Sequence, residues 1–91
     1  AKEKKARRAA FKSNLPNQGE VLELIQAAAY TYIKVRNHRN AIEWVAGPKI
    51  ADLKEGDFIA YSKGVNMSGW FSKELQRAFD MVLFVGQVRK Q

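Results

Sequence analysis

The sequence predicts an all-β protein, with five short strands closing into a small barrel behind a basic arm. Three observations carry this. Apolar residues recur at strand spacing from Glu20 onward, Gly-, Asn- and Pro-containing breaks separate the runs, and no segment sustains an amphipathic helical face. Ninety-one residues with 46% hydrophobic content support one domain with one core.

Residues Ala1 to Phe11 are rich in Ala, Lys and Arg, which favour helix, but lack an apolar stripe to dock one. They are read as a basic arm, either a frayed or marginal helix or a segment that meets phosphate or an anionic lipid surface. Ser13, Asn14, Pro16, Asn17 and Gly19 form a turn-rich break, so the boundary is drawn between an arm and linker at 1–18 and a domain at 19–91. Glu20 to Gln26 places Val21, Leu22, Leu24 and Ile25 on both faces, as in a strand covered on two sides. Ala27 to Ala29 connects it to the clearest alternation in the chain. There Tyr30, Tyr32, Lys34 and Arg36 share one face, and Thr31, Ile33 and Val35 the other.

Asn37 to Asn40 is a four-residue hairpin loop, after which Ala41 to Ala46 returns as the third strand, ended by Gly47 and Pro48. Leu53 to Asp57 is a turn with Gly56 at its bend, leading into Phe58 to Tyr61 as strand four. Lys63 to Phe71 is expected to be a loop. Ser72 is placed to cap a helical turn through Gln76, because its hydroxyl can accept the free amide hydrogens there. Phe79 to Val88, nearly continuous in apolar residues, is the fifth strand, and Arg89 and Lys90 are expected to end in solvent.

Charge is unevenly distributed. Five of the seven net positive charges fall in the first twelve residues: Lys2, Lys4, Lys5, Arg7, Arg8 and Lys12 against Glu3. From Ser13 onward ten Lys or Arg meet eight Asp or Glu, so the body carries only +2. Basicity of the whole chain therefore points to nucleic acid mainly through the arm. The absence of Cys removes disulfide and thiolate-metal chemistry, and no apolar run reaches the roughly 20 residues of a membrane span. The chain starts with Ala, which fits a removed leader or a trimmed chain.

With the elements placed, one resemblance emerges. The strings Gly19-Glu20-Val21-Leu22-Glu23, Tyr30-Thr31-Tyr32-Ile33-Lys34-Val35, Trp44-Val45-Ala46-Gly47-Pro48 and Leu53-Lys54-Glu55-Gly56-Asp57 carry it. So do Met67, the run Ser72 to Asp80, and Phe84-Val85. In order and spacing these resemble small bacterial OB-fold proteins, over Gly19 to Val88. The resemblance implies a five-strand Greek-key barrel and a periplasmic or cell-envelope location. It implies no established ligand, although such proteins are often described as nucleic-acid-binding; a cytoplasmic location stays open. Ala28 and Ala29 stand where the family often has Gly-Gly, and Ala78 where it usually has Thr.

Barrels of this kind bind extended polymers across the strand two and three face. The candidate ligand-binding residues are accordingly Tyr30, Tyr32, Lys34, Arg36, Arg39, Trp70 and Phe71. The tyrosines can stack bases or sugar rings while the cations meet phosphates, or they can pack against the loop holding Trp70 and Phe71. Trp44 reads as core. His38 has no second His or Cys nearby in sequence and reads as a solvated loop residue, and no metal or cofactor site is expected. The eight carboxylates from Glu20 to Asp80 show no spacing that argues for acid–base chemistry, and Ser72-Lys73 reads as cap and solvated charge. Arg77 is expected to pair with a carboxylate. Asn66-Met67-Ser68 fits a glycosylation triplet of a kind frequent by chance.

The expected function is a non-enzymatic OB-fold binding module that holds single-stranded nucleic acid or another extended polymer on the strand two and three face. The alternative is a cell-envelope module that contacts another protein. The sequence does not set an oligomeric state.

Overall fold

The computed structural model describes residues 15–91; the expected arm, Ala1 to Phe11, lies outside them. Seven strands follow in order: β1 (Asn17–Gln26), β2 (Thr31–Asn37), β3 (Ile42–Gly47), β4 (Phe58–Tyr61), β5 (Gly64–Ser72), β6 (Arg77–Val85) and β7 (Val88–Lys90). They form one sheet in the order β5-β6-β3-β2-β1-β4-β7, all-β as expected. No ladder among the described residues joins the two ends of that order, so the sheet does not close into a barrel. It does curl, because only Ser62 and Lys63 lie between β4 near one end and β5 at the other, and the three residue steps from Tyr61 to Gly64 span at most about 10–11 Å.

Seven strands replace the expected five because two long strands are interrupted at a shared kink. Tyr61 pairs with Val88 on one side of it and Gly64 with Val85 on the other, and the partner numbering does not slip between them. The Ser62 hydroxyl stitches the kink by accepting from the backbone N–H of Gly86 and of Gln87, each at 3.2 Å. The start of β5 is tightly fitted: a side chain on Gly64 would place Cβ 2.0 Å from the Phe84 carbonyl oxygen, closer than any atom can sit.

The segment expected to be a loop, Lys63 to Phe71, is therefore mostly strand β5. Val65, Met67, Trp70 and Phe71 favour strand, and pairing with β6 overrides the turn preference of Asn66, Ser68 and Gly69. The expected helical turn after Ser72 is a non-helical turn instead. Ser72 still caps it, accepting from the Leu75 N–H at 3.2 Å, but Gln76 at φ 53° turns the chain back into β6 before any helix propagates. Arg89 and Lys90, expected to finish the chain free, pair through their backbone with Ala60 and Ile59 while their side chains stay exposed.

The two-sided apolar pattern of β1 has a specific cause. Its register against β2 shifts between Val21 and Glu23, a bulge at Leu22, so Val21 and Leu24 both join the same face while Ile25 serves the other. One face of the sheet holds the main core: Val21, Ile33, Val35, Val45, Leu53, Ile59, Tyr61 and Val85. Full burial of each large aliphatic side chain there contributes about 1.5–3 kcal/mol. The opposite face carries a second, aromatic cluster centred on Tyr32, Phe79 and Val82.

Candidate contact surface on the aromatic face

Strand β2 supplies both faces at once. Ile33 and Val35 point into the main core, and Tyr32 and Lys34 point to the aromatic face. The β5–β6 hairpin then adds its own rings to that face. Phe79 stacks on Tyr32 with centroids 5.2 Å apart and planes 8° apart, and meets Trp44 edge-on at 5.2 Å. Phe84 meets Tyr30 edge-on at 5.2 Å and Trp70 at 4.8 Å. Gly69, at φ 64°, is the β5 residue skipped by the ladder, and across that break Phe79 and Val82, three apart in β6, come to the same face.

The sequence-derived candidates separate on this framework. Tyr32 is only 2% exposed: Phe79 covers its ring, and its hydroxyl accepts from the Trp70 indole N–H at 3.2 Å. Its ring face is thus occupied from within the protein. Tyr30 and Trp70 are half-buried neighbours of Phe84. Phe71 is 51% exposed, and Arg39 lies in the β2–β3 turn with its guanidinium 3.4 Å from the His38 ring.

The cations of β2 have acidic company. Arg36 faces Glu20 across the ladder and forms an ion pair with it at 3.8 Å, and Lys34 lies between Glu23 on β1 and Trp44 on β3. Arg77, expected to find a carboxylate, instead lies over the aromatic rings, 4.8 Å from the Trp44 centroid and 4.9 Å from that of Phe79. It covers the outer side of Trp44, which is half-buried where core was expected. Periodicity alone does not reveal this use of Arg77, because it depends on β6 crossing beside β3.

Two depressions result. Val45 and Ala46 are the β3 residues paired with β6, and beyond them the two strands diverge to leave a groove of about 380 Å³ lined by Glu43, Trp44, Arg77, Asp80 and Met81 among others. Across the face, Tyr30, Met67, Trp70 and Phe84 line a shallow, almost wholly apolar groove of about 210 Å³. Val65, 64% exposed and directly opposite Phe84, extends that apolar surface along β5. No family model matches the chain, and neither characterised proteins nor solved structures yield a match.

A polar cluster closes one end of the main core. The buried Tyr61 hydroxyl donates to Glu43 Oε2 at 2.5 Å, and Asn37 Nδ2 donates to the same oxygen at 3.2 Å. Burial and the adjacent carboxylate push the Tyr61 phenol well above its ordinary range. Asn37 Oδ1 in turn accepts from the N–H groups of Arg39 and Ala41, fixing the β2–β3 turn. Here the carboxylate organises a turn. Among the described residues no group of three or more His, Cys, Asp or Glu is placed to hold a metal ion.

Proposed function

We propose that this protein is a non-enzymatic binding module of OB-fold type that contacts another protein through its aromatic face. The observation that carries this reading is the apolar groove of Tyr30, Met67, Trp70 and Phe84, extended by exposed Val65. Clustered, exposed apolar surface of this kind favours a protein partner. The OB-type reading is supported by the strand connections. Taking β4 with β5 and β6 with β7 as two kinked strands leaves five, with β1 between β2 and the fourth, and β3 parallel to the fifth.

Single-stranded nucleic acid is the second reading, supported by Arg77, whose guanidinium lies on aromatic rings with no carboxylate bonded to it among the described residues. It is weaker because Tyr32 has no free ring face and because Glu20 and Glu23 sit beside the β2 cations.

The test is a photo-crosslinking residue placed at Met67 of the full chain in its native host, with the same residue at Lys54 as control. An adduct to a protein other than this chain, specific to position 67 and lost on Tyr30→Ala, is expected; an adduct only to a second copy of the chain would not support the reading. Adducts to nucleic acid, or equal labelling from both positions, would overturn the protein-contact reading.

A further inference from the structure

We propose that β5 pairs edge to edge with β5 of a second copy of this chain, antiparallel about a two-fold axis at Asn66. Strand β5 ends the sheet, so the backbone N–H and C=O groups on its outer side have no strand beside them among the described residues. Native sheets guard such edges with charge, proline or brevity. Here the guard is missing: Gly-Val-Asn-Met-Ser-Gly-Trp-Phe-Ser is nine residues long and contains no charge and no proline. The sheet's other end shows the contrast, since β7 is three residues long and two of them are Arg89 and Lys90. The open stretch of β6 is guarded as well, by Arg77 and Asp80.

The occupant and the register follow from the residues themselves. Gly69 at φ 64° bends the strand and limits the regular run to Gly64 through Ser68, whose centre is Asn66. Antiparallel pairing about that centre sets Gly64 against Ser68 of the second copy and Val65 against Met67, so the exposed apolar side chains of each copy cover those of the other. An axis at Ser68 would instead set Lys63 against Lys73 of the second copy, placing like charges opposite one another. The +2 charge from Ser13 onward opposes this approach only weakly. The pairing uses the backbone edge and leaves Tyr30, Trp70 and Phe84 open, but it shares Val65 and Met67 with the contact surface proposed above.

Sedimentation equilibrium of the full chain tests the pairing. The apparent mass should rise with concentration from 10.3 kDa toward twice that value. Val65→Lys should hold the chain monomeric, and so should Met67→Glu, whereas an equimolar mixture of the two should recover the dimer, since the introduced lysine of one copy then faces the introduced glutamate of the other. Because Val65 is exposed, its replacement leaves the fold intact, which an unchanged near-ultraviolet circular dichroism spectrum checks. In the unsubstituted chain, β5 amide exchange should also slow as concentration rises. A monomer up to about 1 mM, a range that would capture even weak specific association, overturns the proposal. So does a dimer that Val65→Lys leaves intact.

Discussion

The indole N–H of Trp70 donates to the Tyr32 hydroxyl across 3.2 Å, tying the β5–β6 hairpin to the middle of the sheet. That bond, with Phe79 stacked on the Tyr32 ring, turns the most suggestive aromatic residue of the sequence into a packing residue. Tyr32→Phe and Trp70→Phe should each lower stability by about 0.5–1.5 kcal/mol, and the double variant should cost clearly less than the sum. Denaturant unfolding of the four proteins measures the coupling.

Tyr32→Ala should cost more, about 3–5 kcal/mol, because it removes a buried ring that Phe79 and Trp70 rest on. Loss of ligand binding in that variant should therefore track loss of fold, read by thermal melts at the temperature of the binding assay.

Glycine at position 64 is required by packing. Gly64→Ala should destabilise by about 1–3 kcal/mol or more, since its Cβ would meet the Phe84 backbone at 2.0 Å. Gly86→Ala, with open space around its Cβ, should change stability by no more than about 1 kcal/mol. Equal effects in thermal unfolding would contradict the kink geometry.

Tyr61 makes stability depend on alkaline pH. Its phenol is held protonated above its ordinary range in the folded state, so the folded chain retains a proton that the unfolded chain releases. The stabilisation is complete below about pH 10 and is lost as pH rises through the folded-state value. Stability measured from neutral to alkaline pH should fall above that point, and less steeply in Tyr61→Phe. At the acid end Asp57 works oppositely: the Lys54 backbone N–H, with Lys90 nearby, holds its carboxyl below the ordinary value, so its contribution fades as pH falls.

Arg77→Ala should lower stability by about 0.5–1 kcal/mol, the worth of an exposed cation over an aromatic ring, and increase the solvent accessibility of Trp44. Unfolding curves and acrylamide quenching of tryptophan fluorescence provide the two readouts.

Much of the sheet was legible in the sequence because its strands follow period-two patterning or turn chemistry. Tyr30 to Arg36 alternates cleanly, the Asn37 to Asn40 loop carries its own side-chain bonds, and Phe58 to Tyr61 follows a glycine turn. Strand β5 was not legible. Asn66, Ser68 and Gly69 give it a loop's composition, and only the ladder to β6 makes it a strand. The candidate surface was half legible: Tyr30 and Trp70 line it, but Met67 and Phe84 emerged only once β5 and β6 were paired. The burial of Tyr32 depends on a hairpin much later in the chain crossing the face, which local pattern does not encode.

The most direct measurement is fluorescence-anisotropy binding of a labelled single-stranded oligonucleotide at two salt concentrations, using the full chain and a version that starts at Ser13. If the aromatic face serves a protein partner, the full chain binds weakly through its basic residues, and the shorter version loses that binding without any change in Trp44 or Trp70 fluorescence. Retained, salt-dependent binding by the shorter version, quenching its tryptophans and weakened by Arg77→Ala, would contradict the account and assign the face to nucleic acid.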